Sequence, residues 1–188
     1  TILITIKKIK MQQKLQNTKN LVSGVFDKVY DKYDLMNNLM SFGIHKSWKK
    51  QLIYSMKPKA NKRLIDVACG TGDIAKLFVD ETKGKSKIHC VDPNKKMLSL
   101  SKIRLKEYKN IYWKNAPAEK LPFKENFFDY YTISFGLRNT KNIGKALSEA
   151  HRVLKKGGRF FCLEFSKINN DYLNLFYKNY SRLIPVMG

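Results

Sequence analysis

The sequence predicts an α/β fold: a parallel sheet with helices on both faces, preceded by a helical cap. Three observations carry that expectation. Short apolar runs alternate with amphipathic stretches after Pro58, a glycine-rich turn follows the first run at once, and an acid closes the second run. No internal repeat or low-complexity linker interrupts the order.

Residues 1–20, rich in Lys, Gln and Asn, show little periodicity and read as a basic tail, with Met11 able to serve as initiator. Residues 21–57 read as the cap, because Val22, Val25, Phe26, Val29, Tyr30 and Tyr33 follow the spacing of one helix face. Residues 58–188 then form the sheet domain. Its strands are expected over Leu64 to Ala68, Lys87 to Val91, Ile111 to Lys114, Phe128 to Phe135 and Gly158 to Leu163. Helices are expected around Asp73 to Asp80, Lys95 to Tyr108 and Asn142 to Leu154.

A chain of 188 residues that is 43% apolar is long enough for one domain with a sizeable core. No stretch approaches the roughly 18 apolar residues that span a bilayer, and no secretory signal is recognisable, so a soluble intracellular protein is expected. The formal charge of +22 suits an anionic surface of any kind. Only six of the 37 basic residues are Arg, however, and the lysines are spread through every element. That is the pattern of solvated helix faces and not of a phosphate-reading surface, so no nucleic-acid partner is expected. Cys69, Cys90 and Cys162 form no Cys-x-x-Cys pair, and His45, His89 and His151 lie in separate elements. Reduced thiols and no metal site follow.

The first strand runs into Asp66-Val67-Ala68-Cys69-Gly70-Thr71-Gly72-Asp73. Glycines there let the chain turn sharply and let a ligand lie against the backbone. Asp92 stands about 20 residues beyond Gly72, where a carboxylate can accept both hydrogen bonds of a ribose diol. A dinucleotide-binding dehydrogenase fits the same residues. Two features favour a methyltransferase that uses S-adenosyl-L-methionine. Asp66 can receive an amino group, whereas acids at Asp66 and Asp73 would repel a pyrophosphate, and the chain offers no second domain for a hydride acceptor.

Three longer segments sharpen this. Tyr33-Asp34-Leu35-Met36-Asn37-Asn38-Leu39-Met40-Ser41-Phe42-Gly43-Ile44-His45-Lys46-Ser47-Trp48 resembles the N-terminal signature of the ubiquinone/menaquinone biosynthesis C-methyltransferases, the UbiE family. Arg152 to Ser166 resembles the family's second signature, and Ile133-Ser134-Phe135-Gly136-Leu137-Arg138-Asn139 is similar to its fourth-strand motif. The resemblance implies a class I, Rossmann-like methyltransferase fold. It implies cofactor contacts at Gly70, Thr71, Gly72, Asp92, Ala118, Glu119 and Ser134, beside Asp66. Pro117 stands where the family carries Asn or Asp and brings no donor, which passes an adenine contact to Ala118 or Asn115. Family members continue past Gly188 to supply two further strands. On that ground the sheet is expected to stop short, leaving an exposed strand edge prone to aggregation.

The implied substrate is a polyprenylated benzoquinol or naphthoquinol methylated on a ring carbon. Such chemistry needs an electron-rich phenolate and a methyl donor held in line, and no metal. Arg138 beside Asn139, at the carboxyl edge of the sheet, is placed to stabilise the phenolate by charge. Tyr33, Asp34 and His45 are the candidates for proton acceptor, His45 being nearest neutrality by type. The cap aromatics suit core packing, with some apolar path left for an isoprenoid. A cytoplasmic enzyme with peripheral association at the inner face of the membrane is expected, its oligomeric state left open.

Overall fold

The computed structural model describes residues 44–164. The expected tail, the cap as far as Gly43 and the candidates Tyr33 and Asp34 lie outside the described residues. Within them the order is α1 (Ile44–Met56), β1 (Arg63–Val67), α2 (Asp73–Glu81), β2 (Lys87–Asp92), α3 (Lys95–Arg104), β3 (Ile111–Asn115), β4 (Phe128–Ser134), a 3-10 turn (Leu137–Asn139), α4 (Ile143–Val153) and β5 (Leu154–Leu163).

All five strands are parallel, in the order β3-β2-β1-β4-β5. Chain direction reverses its march across the sheet between β1 and β4, and in open α/β sheets ligands bind at the carboxyl ends beside such a point. Successive β1 residues face opposite sides, so Leu64 joins Phe78, Ile88 and Tyr130 on the face covered by α1 and α2. Ile65 and Val67 join Phe128, Tyr131 and Ala150 under α4. Burial on both faces explains why β1 and β4 read as near-continuous apolar runs. His89 lies in the aromatic cluster of Tyr112, Phe123, Phe127 and Phe128. Burial, aided by the charges of Arg63 and Lys87, holds its imidazole down at about 4.

Two boundaries differ from expectation by more than one residue. The helix expected to reach Tyr108 ends at Arg104. Leu105 drops into the core and Tyr108 reaches across to Asp80 of α2, its hydroxyl donating at 2.8 Å, so the chain leaves the helix to enter β3. β5 begins at Leu154, before the expected Gly158. Phe128 pairs with Leu154 but Tyr130 pairs with Arg159, so the intervening residues bulge out of the ladder. Gly157, at φ 76°, takes the left-handed conformation that a side chain resists. Lys155 ties the bulge to Asp129 at 2.9 Å.

β5, at one edge of the sheet, is the one strand among those described without a buried residue. No strand among the described residues pairs with its outer edge, and Phe160 is 39% exposed. Cys90 is buried, while Cys69 and Cys162 are half-buried, and all three are free thiols.

Candidate functional site

The sequence places its acids where strands end, and the structure brings three of those ends together. Asp66 closes β1 opposite Cys90 of β2 and Thr132 of β4. Its Oδ1 accepts from the Thr132 hydroxyl at 2.8 Å. Its Oδ2 has no partner, although the residue is only 1% exposed. Burial pushes this carboxyl up to about 7, against the pull of the Thr132 hydrogen bond and the Lys49 charge.

From Asp66 the backbone enters the turn. Ala68 (φ 53°), Gly70 (φ 54°) and Gly72 (φ 83°) all lie in the left-handed region. At Gly72 a side chain is also excluded by space, because a Cβ would stand 2.5 Å from Ser101 Oγ and 2.7 Å from Leu105 Cδ1. Gly72 therefore lets the turn pack tightly on Ser101 and Leu105 at the N-terminus of α2. Asp92, at the end of β2 and nearly buried, holds the turn from below: its carboxylate accepts from the backbone N–H of Gly70 at 2.9 Å and of Asn94 at 2.8 Å. Burial raises its carboxyl, and those two hydrogen bonds oppose the rise.

The mouth of the turn is ringed by charge. Asp73 receives Lys49 Nζ at 2.6 Å on one oxygen and Arg104 Nη1 at 2.5 Å on the other. Burial alone would raise its carboxyl, but Lys49 and Arg104 together take it below its ordinary value. Arg104 Nη1 also donates to the Thr71 hydroxyl at 3.3 Å.

On the far side, β4 ends in Ser134. Asp66, Ser134, Gly70 and Thr71 line one cleft with Lys49 and Asp73. Ser134 Oγ is the second buried polar atom without a partner among the described residues. Phe135 follows at φ 55°, strained for an aromatic residue, and rests its ring 6.4 Å from that of Trp48 in α1. Arg138 and Asn139 lie on the exposed 3-10 turn beyond it. Glu164, just past β5, takes Arg138 twice: Oε1 from the guanidinium at 2.6 Å and Oε2 from the backbone N–H at 3.2 Å. Burial pushes the Glu164 carboxyl up, against the charge of Arg138.

Of the candidates, Gly72, Asp92, Arg138 and Asn139 do not line this cleft, and nor do three more. His45 is buried at the start of α1. Ala118 is packed in the core under α4, and Glu119 gives its carboxylate to the backbone N–H of Asn142 at 3.0 Å, at the head of that helix. Sequence reasoning gave no role to Lys49 or Glu164. Lys49 stands just past Trp48, the last residue of the N-terminal signature, whereas Glu164 lies within the second signature, where position in a motif was the available signal.

The donor set suits a compact ligand with mixed charge. Asp66 Oδ2 offers a desolvated acceptor for an ammonium, and Asp92, outside the cleft lining with both oxygens on backbone N–H groups, braces the turn from beneath. S-adenosyl-L-methionine brings an ammonium that suits Asp66, and two orphaned polar atoms at one cleft are what a site for such a ligand requires. Among the described residues no cluster of His, Cys, Asp and Glu could hold a metal ion. No helix among them is long and apolar enough to cross a membrane.

Comparison with known proteins gives a consistent picture. The profile of the ubiE/COQ5 methyltransferase family matches residues 11–188. The ubiquinone/menaquinone biosynthesis C-methyltransferase UbiE of Rickettsia bellii is 47% identical over 189 residues, covering 97% of this chain and 74% of its own length. That of Rickettsia prowazekii is 46% identical over 185 residues, covering 94% and 74%. Among solved structures, YcgJ of Bacillus subtilis superposes with a TM-score of 0.60 at 26% identity, over 73% of this chain and 58% of its own. A SAM-dependent methyltransferase from Aquifex aeolicus gives a TM-score of 0.60 at 17% identity, over 70% and 78%, and shares the fold.

Proposed function

The chain belongs to the ubiE/COQ5 methyltransferase family, and from that premise we propose that it transfers a methyl group from S-adenosyl-L-methionine to a ring carbon of a polyprenylated benzoquinol or naphthoquinol, as in ubiquinone and menaquinone biosynthesis. The observation that best supports a cofactor at this cleft is the pair of unpartnered buried atoms, Asp66 Oδ2 and Ser134 Oγ, at neighbouring strand ends.

When bound, the cofactor supplies a sulfonium methyl that departs to a carbon nucleophile. Everything else falls to the chain. Asp66 accepts from the donor's ammonium, and Asp92 accepts from the ribose hydroxyls while keeping the turn in shape through Gly70. Ser134 and the backbone of the turn fix the remaining end. Ala118 and Glu119 are carried as the adenine side, through backbone groups, since the Glu119 carboxylate is engaged by α4. Holding donor and ring in line supplies much of the rate, because it replaces a collision with a fixed geometry.

A ring carbon becomes nucleophilic only as its neighbouring hydroxyl approaches phenolate. Arg138, with Asn139 beside it, stabilises that developing charge through its guanidinium. Glu164 aims it. Proton removal is assigned to Tyr33, Asp34 or His45, the last buried at the start of α1. The enzyme works in the cytoplasm at the inner face of the membrane, where the isoprenoid tail of its substrate resides.

The reading is tested with a short-tailed demethylated quinol and isotope-labelled methyl donor, with the ring kept either reduced or oxidised. Label on a ring carbon of the reduced form alone is the expected product. Label on a ring oxygen, or none under either condition, would refute it.

A further inference from the structure

The amino-acid end of the methyl donor is a zwitterion, and the cleft described above is poor in cations. Asp66 and Asp73 both line it, and each favours the ammonium and repels the carboxylate. A carboxylate therefore needs a positive group inside the cleft. Lys49 is the cation that lines it, with its side chain only 12% exposed. It is carried there by α1, whose Trp48 rests against Phe135 at the far wall.

Asp73 does not need Lys49 to stay paired. Its other oxygen is held by Arg104 at 2.5 Å, so one carboxylate here has two cations. A lysine ammonium has three donors on a flexible stem, and it can keep one on Asp73 while turning others to a new acceptor.

We propose that Lys49 receives the carboxylate of the methyl donor's amino-acid end, so that α1 contributes directly to cofactor recognition and distinguishes the donor from analogues lacking that group. The inference rests on the cofactor reading above. Asp66 takes one charge of the zwitterion and Lys49 the other.

Calorimetric titration tests it with two probes that differ by one group: S-adenosylhomocysteine, and its decarboxylated form, which keeps the ammonium. In Lys49→Met the affinity for the first should fall on the order of tenfold to a hundredfold, with the second changed by less than about threefold. An equal loss for both probes would make Lys49 a merely structural tie between α1 and α2, and no loss for either would leave it no role; both results overturn the proposal. Should Lys49→Met fail to fold, Asp73→Asn serves in its place. It frees Lys49 and removes a repelling charge, so preference for the carboxylate-bearing probe should rise, and an unchanged or smaller preference counts against the proposal. If the unmutated protein binds neither probe, the cofactor reading itself has failed, and that result is seen before any variant is made.

Discussion

At the ends of β1 and β2 the polar side chains are buried and bind backbone, a neighbouring hydroxyl or nothing, whereas beyond β4 and β5 an exposed arginine and a half-buried glutamate bind one another. Asp92 holds two backbone N–H groups and Asp66 keeps one oxygen unpartnered, both nearly out of solvent. Arg138 and Glu164 instead form an ion pair whose arginine side chain is 44% exposed. The difference teaches how the labour is split. One half is a rigid floor whose shape is fixed by the fold before any ligand arrives. The other is a pair of side chains that hold each other beyond the strand ends.

The sharpest way to break that contrast is Asp66→Asn. It keeps a hydrogen-bond partner for Thr132 but removes the charge, and affinity for S-adenosylhomocysteine should fall on the order of a hundredfold. The same change should stabilise the fold at neutral pH. A buried carboxyl raised from the ordinary value to about 7 binds more protons folded than unfolded, so the protein loses stability as pH rises through that window and stays penalised above it. Melts of the two proteins should therefore nearly coincide at about pH 4 and diverge in the variant's favour, on the order of 4 kcal/mol, by about pH 8. Equal affinity in the variant would remove Asp66 from the floor.

Arg138→Lys probes the other half. Lys keeps the charge and loses the fork that Glu164 grips, so kcat should drop roughly tenfold or more while affinity for S-adenosylhomocysteine is unchanged. A fall in cofactor affinity with kcat intact would show that the two halves are not separate.

Gly72→Ala gives the smallest effect. It places a Cβ against Ser101 and Leu105 at a positive φ, and should cost about 2 kcal/mol in a denaturant titration, with cofactor affinity falling alongside. A silent substitution would mean that the turn has more room than its geometry shows.

The floor was legible in the sequence because several local constraints coincide there. An apolar run, two glycines, a following helix and an acid at the next strand end leave few arrangements open, and Asp66, Gly70, Thr71 and Ser134 indeed share one cleft. The start of β5 was not legible, since a glycine pair reads as a turn and its bulge depends on Asp129 gripping Lys155 from the neighbouring strand. Lys49 was hidden for a different reason. In a chain with 37 basic residues one lysine carries no signal, and only the packing of α1 on α2 brings it to Asp73. Glu164 was quoted within a motif, but its grip on Arg138 requires β4 and β5 to end side by side.

The account turns on Asp66 as a neutral-poised acid that must ionise to take an ammonium, and calorimetry in buffers of different ionisation heat reads that directly. Binding of S-adenosylhomocysteine should release close to one proton near about pH 6 and almost none near about pH 8, with affinity rising about tenfold per pH unit only below about 7. Affinity and heat independent of pH and buffer across that range would contradict it.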